Sequence, residues 1–446
     1  MSAPTYDAYR DSGIDWLGNV PSHWKIDRLK ASVASSKGGI WGEEADGGEE
    51  DIVCIRVADF RRRDFSISMD DPTVRKIAAK DRNGRLVSRG NLLLEKSGGG
   101  EKQPVGAVSL YDHDVPAVCS NFVTRLELEA GMHPSFWRYV HAAAYDRGLT
   151  FRSLNQTSGI QNLDQARYLD ERAAYPPPAE QAAIAAFLDR ETGKIDALVE
   201  AQTRLIELLK EKRQAVISHA VTKGLDPAAP MKDSGVEWLG QVPAHWEVVP
   251  IRSLFRFVRR QDGDELDVLS VYRDYGVISK ASRDDNNNVT PEDLSKYQTV
   301  RPGDLVVNKM KAWQGSLGIS NLTGITSPDY AVFEPIHSGS ADYLHLLLRS
   351  PLLPDVFRLI SNGIRLAQWR LEPEKFKELR VPWPPVAEQQ TIGVKLAKDA
   401  ARMELLASEA SRGIALLHEH RAALISAAVT GKIDVRGLAP EQAEAA

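Results

Sequence analysis

A chain of 446 residues with 43% hydrophobic and 26% charged residues has an ordinary globular composition and exceeds what one core holds, so roughly two to four domains are expected. The formal net charge of −5 argues against a broad basic face, and any grip on nucleic acid must come from local positive charge. Cys54 and Cys119 form no CxxC pair, which excludes a disulfide framework and the usual zinc spacings; with a polar N-terminus and no apolar run near the roughly 18 residues of a membrane span, a soluble cytoplasmic protein is expected.

In chain order, the first distinctive stretch is Asp11–Trp24, DSGIDWLGNVPSHW, an entry motif that closes the segment 1–24. A long region, 25–174, follows, with short β-branched runs punctuated by Gly, Asn and Asp that predict mixed α/β structure with several strands. Its positive charge is concentrated in Arg61-Arg62-Arg63 and the scatter Arg75, Lys76, Lys80, Arg82, Arg85 and Arg89, a pattern that more often marks a solvated face. A strand-like GNLLLEK from Gly90 runs into Lys96, Ser97, a glycine cluster at Gly98 to Gly100, and Lys102; neither GxxxxGK[ST] nor GxGxxG is present, so a flexible loop is expected rather than a nucleotide cradle. CSNFVTRLE from Cys119 predicts a buried strand entered from a polar turn, and Asn155, Gln156, Gln161 and Asn162 form a polar loop late in the region.

The segment 175–226 opens YPPPAEQ, where the prolines stop a strand and a helical period begins after Glu180. Leu188, Ile195, Leu198, Leu205, Leu209 and Val216 recur at heptad-like steps, predicting a seam. Some 44 helical residues would span on the order of 65 Å, too long to pack on one small domain, so the helix needs a partner.

The order then repeats. After a linker beginning at 227, Asp233–Trp246 reads DSGVEWLGQVPAHW, with every tryptophan, glycine, proline and histidine in register with the first copy. A second divergent region, 247–382, keeps only the skeleton: GDLVVNK from Gly303 answers GNLLLEK, and TSPDYAVFE from Thr326 answers CSNFVTRLE. Lys309, Lys311, Trp313 and Gln314 fall where the first region has its glycine cluster, and Asn362, Arg365, Gln368 and Arg370 answer its polar segment. The segment 383–436, opening WPPVAEQ, predicts a second long helix with Leu396, Met403, Leu406 and Leu417 on its seam, and 437–446 is expected to be a disordered tail. The two helices are expected to pair antiparallel as a coiled coil separating two α/β regions, an α+β fold in tandem pseudo-repeat.

Catalytic readings fail on their residues. SPDY at Ser327–Tyr330 has Asp329 where the amino-methyltransferase loop needs proline, and no methyl-donor motif accompanies it. His418-Glu419-His420 points in different directions around a helix and is answered by Lys210, Glu211 and Lys212, so neither a catalytic nor a metal site is expected. Trp16, Trp24, Trp238 and Trp246 belong to a motif common to both halves and are expected to pack rather than to stack on ligands.

The doubled WLGxVPxHW motif, the doubled PPxxEQ helix start and the two divergent regions together resemble the specificity subunits of type I restriction–modification systems, over nearly the whole chain. The resemblance implies that 25–174 and 247–382 are target recognition domains, each reading half of a split, asymmetric sequence in double-stranded DNA. It also implies that the helices set the spacing and dock two methyltransferase subunits and, through them, restriction subunits. S-adenosylmethionine, ATP and Mg would then belong to those partners, and this chain would have no catalytic site. Arginine and lysine suit guanine and phosphate, and Asn and Gln suit adenine, so the candidate DNA contacts are Arg61, Arg62, Arg63, Lys96, Ser97, Lys102, Asn155, Gln156, Gln161, Asn162, Lys309, Lys311, Trp313, Gln314, Arg365, Gln368 and Arg370.

Overall fold

The computed structural model describes residues 4–100, 103–157, 160–263, 266–283, 290–363 and 369–438. The chain divides into two compact units, the first of Met1–Gln202 with Arg412–Ala446 and the second of Thr203–Ser411.

The centre of the first unit is the strand Leu92–Glu95. Its first three residues are an unbroken run of leucines because both its faces are covered. Leu92 and Leu94 enter a core with Phe136, Trp137 and Val140 of helix α1 (Pro134–Asp146), whereas Leu93 enters another with Ile55, Ala117 and Val123. The strand lies third in a six-stranded sheet ordered Val33–Gly38, Val123–Leu128, Leu92–Glu95, Val108–Leu110, Ser66–Ile67 and Phe60–Arg61. Helix α2 (Pro178–Lys223) begins here, 46 residues long.

The second unit follows the same plan with a four-stranded sheet, Phe255–Val258, Tyr330–Pro335, Leu305–Asn308 and Leu317–Ile319. Leu305 and Val307 share a core with Tyr343, Leu344 and Leu347 of α3 (Ala341–Leu348), while Val306 joins Leu269, Val271 and Val300 on the other face. The expected strand correspondence therefore holds as paired strands: Leu94 lies opposite Thr124, and Val307 opposite Ala331. Helix α4 (Val386–Val429) has 44 residues.

Both long helices contribute to both units. In the first unit Leu188 of α2 shares a core with Ile425, Ala428 and Val429 of α4, and further along α2 Asp196 meets Arg421 at 3.7 Å, so the two run antiparallel. In the second, Arg213 meets Glu404 at 3.7 Å and the later Val221 shares a core with Ile392 and Leu396, again antiparallel. Along the middle of α2 a continuous line of covered positions runs through Leu188, Thr192, Ile195, Val199, Gln202, Ile206 and Leu209, whose steps of three and four are those of a coiled-coil seam. This corrects the expected seam: Leu198 and Leu205, at 52% and 41% exposure, lie one residue off it, and one residue is about 100° around a helix. On α4, Leu396, Met403 and Leu417 are covered, but Leu406 is exposed for the same reason.

The doubled motifs are two halves of one contact. In the first unit the carboxylate of Glu180 meets His23 Nε2 at 2.8 Å and accepts the indole N–H of Trp24 at 3.0 Å; in the second, Glu388 meets His245 at 2.7 Å and accepts from Trp246 at 3.0 Å. The neighbouring glutamines fasten the helix starts. Gln181 accepts from the His133 backbone N–H at 3.0 Å and donates to the Pro176 carbonyl at 2.9 Å, and Gln389 does the same with Ser340 and Pro384, both at 2.8 Å. Trp24 and Trp246 are fully buried, as their shared motif led us to expect. The other ends of the helices return to the entry motifs: Lys223 Nζ donates to the Leu239 carbonyl at 3.0 Å, and Lys432 Nζ to the Asn19 carbonyl at 2.7 Å. Gly431 (φ +70°) makes this approach possible, since a Cβ there would stand 2.3 Å from Pro21 Cδ.

Of the expected tail, residues 439–446 lie outside the described residues, but the stretch before them is docked on the first unit. Asp434 N–H donates to the Pro4 carbonyl at 2.8 Å and the Arg436 guanidinium lies 4.8 Å from the Tyr6 ring centre.

Candidate nucleic-acid interface

Arg61, Arg62 and Arg63 diverge rather than forming one basic patch. The chain reverses at Phe65, whose φ of 56° is left-handed, and successive side chains leave in different directions. Arg61 pairs with Asp70 at 2.6 Å on the surface, Arg62 reaches the buried Glu95 at 2.6 Å and Tyr145 at 3.1 Å, and Arg63 donates to Asp196 of α2 at 2.9 Å. Burial raises the Glu95 carboxyl above its ordinary range, with the Arg62 charge opposing that rise. Arg62 and Arg63 thus fasten the turn to the sheet and to the long helix, and their charge is spent within the protein.

The polar segments expected as loops are β-hairpins. Leu154–Thr157 pairs with Ile160–Leu163, and Ser97–Gly98, where a flexible loop was expected, adds a third strand. Asn155 and Ser97 both lie opposite Asn162, which places the three side chains on one face, and the Ser97 hydroxyl donates to Asn162 Oδ1 at 2.7 Å. Gln161 turns the other way: it is buried and accepts from the Val105 N–H at 3.3 Å, which makes it a structural residue. Lys96 joins this hairpin to the sheet, its N–H donating to the Phe122 carbonyl at 2.9 Å and its carbonyl accepting from Leu163 at 2.8 Å. Phe122 and Trp41, 49% and 39% exposed, line a neighbouring cavity of about 450 Å³ with Arg56 and Asn121, and the Arg75 guanidinium lies 4.6 Å from the Trp41 ring centre. Sequence reasoning passed over these aromatics because only their exposure distinguishes them from core residues.

The second unit uses the same joints with different side chains. Lys309 N–H donates to the Asp329 carbonyl at 3.3 Å and its carbonyl accepts from Leu371 at 2.8 Å, so Lys309 stands where Lys96 does. The short hairpin of Ser361–Asn362 and Arg370–Leu371 sets Asn362 opposite Arg370, the counterpart of Asn155 opposite Asn162. Lys311 and Gln314 are exposed near this joint, whereas Trp313 is half-buried and donates its indole N–H to the Met310 carbonyl at 3.0 Å. Arg259, which sequence reasoning missed, shares a cavity of about 690 Å³ with Lys309, Met310, Asn362 and Arg370. Burial first, and then the Arg370 charge, hold the Lys309 ammonium below its ordinary pKa. Lys102, Arg365, Gln368 and the side chain of Gln156 lie outside the described residues.

Other chemistry finds little footing. His418, Glu419 and His420 are all exposed on α4, and among the described residues no group of three or more His, Cys, Asp or Glu side chains is placed to hold a metal ion. Asp329 sits in a tight turn, its N–H directed at the Ser327 hydroxyl at 3.3 Å. Among the described residues no helix is long and apolar enough to cross a membrane.

Two α/β units of one plan, each closed by antiparallel parts of the same two long helices, have the fold of type I restriction–modification specificity subunits. The resemblance read from the doubled motifs is borne out by comparison with known proteins. The chain is 22% identical over 342 residues, 71% of its own length and 70% of the relative's, to the type I restriction enzyme EcoBI specificity subunit of Escherichia coli. It superposes with a TM-score of 0.66 on a chain from a structural study of type I R-M complex assembly and conformational transition, at 15% identity and covering 92% of this chain and 98% of the other. The HsdS subunit of Thermoanaerobacter tengcongensis gives a TM-score of 0.54 at 14% identity, covering 93% and 98%. No family model matches the chain.

Proposed function

We propose that this chain is the DNA sequence-specificity subunit of a type I restriction–modification complex. Each unit reads one half of an asymmetric bipartite target, and the chain scaffolds two methyltransferase subunits and, with them, the restriction subunits. It performs no chemistry itself; S-adenosylmethionine, ATP and Mg are bound by the partners, in the cytoplasm. The observation that carries this reading is the pair of equivalent joints at Lys96 and Lys309, where one backbone framework presents Ser97, Asn155 and Asn162 in the first unit and Asn362, opposite Arg370, in the second. A common frame with exchanged polar side chains is what two unlike half-sites require, since base edges are distinguished by the donors and acceptors set against them.

The test is methylation mapping of genomic DNA from a host carrying the chain with its methyltransferase partner, against a host lacking this chain alone. A split motif that appears only with the chain supports the reading, and replacing 25–174 should then alter one half. Methylation that does not depend on the chain would overturn it.

A further inference from the structure

This inference rests on the DNA-reading function and assigns a different task to one part of the second unit. Three cations from three separate elements meet at one cavity of about 690 Å³: Arg259 just beyond the strand Phe255–Val258, Lys309 just beyond Leu305–Asn308, and Arg370 on the hairpin. Their surroundings compensate this charge only in part: the Asp329 carboxylate favours the Lys309 ammonium, but less than burial and the Arg370 charge oppose it. The adjacent Arg260 is held by Asp304 at 2.7 Å and Glu334 at 3.2 Å, but among the described residues Arg259 finds no carboxylate and lies 5.8 Å from the Phe257 ring centre. Lys309 Nζ donates to a neutral group, the Pro328 carbonyl at 2.9 Å. Glu372 also lines the cavity, yet its carboxylate accepts from Asn362 and pairs with Lys375 at 3.3 Å. Among the described residues, no carboxylate comes within ion-pairing distance of Arg259, Lys309 or Arg370.

Like charges brought to one cavity repel, so the arrangement costs the free protein energy that an anion would offset. Two guanidinium forks and an ammonium suit a phosphate, which accepts from forks in pairs and from lysine as a point charge. The equivalent place in the first unit is built otherwise, with Phe122 and Trp41 exposed beside Lys96. We infer that Arg259, Lys309 and Arg370 form a clamp for one backbone phosphate of duplex DNA, which fixes the register of the second unit on its half-site without reading the sequence there.

The experiment uses the full chain copurified with its methyltransferase subunits and a duplex carrying the mapped target. Arg259→Gln and Arg370→Gln should each weaken binding and reduce the slope of log K against log salt by about 1, while the methylated motif stays the same. Arg259→Lys should restore the slope, and unchanged melting curves for all variants would show that the fold is intact. An unchanged slope and affinity in both glutamine variants would overturn the clamp. A changed base preference in one half of the motif would overturn it too, because the cluster would then be reading bases. If the unsubstituted complex shows neither a chain-dependent motif nor salt-sensitive duplex binding, the function itself is wrong and the clamp goes with it.

Discussion

The carboxylate of Glu180 accepts the indole N–H of Trp24 at 3.0 Å inside the first unit, and so joins the entry motif to the start of α2. Glu180→Ala would leave a buried donor without a partner, at a cost of about 1–3 kcal/mol. Glu388→Ala should cost less, because the Glu388 side chain is 29% exposed against 9% for Glu180, and water can replace it. Urea unfolding of both variants would check this; a larger loss in Glu388→Ala would refute the burial argument.

Each unit holds a histidine on the helix that covers its sheet, His141 fully buried in the first and His345 half-buried in the second. Burial lowers the pKa of His141 from 6.5 to about 4, and burial followed by the Arg349 charge lowers His345 to about 4 as well. Between these values the unfolded chain binds protons that the folded one does not, so stability is intact above pH 6.5 and is lost as pH falls toward 4. The loss is on the order of 3 kcal/mol for each histidine once pH has fallen through that window. Urea midpoints measured from about pH 6.5 down to 5, above the range where ordinary carboxylates titrate, should fall, and His141→Leu should flatten part of that slope. A flat profile in the original protein would contradict the assignment.

The corrected seam separates two leucines ten residues apart on one helix. Leu188→Ala empties a fully buried site and should cost roughly 2–5 kcal/mol, whereas Leu198→Ala, at 52% exposure, should stay within about 0.5 kcal/mol. Thermal melts of the free chain distinguish them, and comparable losses would restore the leucine stripe as the seam.

On the proposed function Asn162 meets a base edge, with Ser97 holding its amide oxygen at 2.7 Å. Asn162→Ala should relax one position in one half of the methylated motif and leave the other half untouched, at about 1–3 kcal/mol of discrimination. Sequencing methylated sites in a host expressing the variant reads this directly; an identical motif, or damage to both halves, would exclude the role.

The tandem order, the strand pairs and the helix starts were legible because each rests on local chemistry repeated twice, such as proline stopping a strand before Glu180 and Glu388. The sites were harder, because charge is apportioned by contacts distant in sequence. Arg62 and Arg63 look like surface cations until Glu95 and Asp196 arrive from elsewhere, while Arg259 looks like a redundant neighbour of Arg260 until only the latter finds Asp304 and Glu334. The seam was misread because leucines at 198 and 205 keep the same sevenfold spacing as Val199 and Ile206, and periodicity alone does not say which of two adjacent stripes is covered.

The lysines at the ends of α2 and α4 make the same contact over very different lengths of chain. Lys223 reaches the carbonyl of Gln241 across 18 residues, whereas Lys432 reaches that of the matching Asn19 across 413. For a flexible chain, that difference adds roughly 3 kcal/mol of loop-closure entropy to the second contact. A ribosome releasing this protein therefore delivers the second unit with its closing partner already beside it, while the first unit, translated earliest, waits for the last helix before it can be sealed.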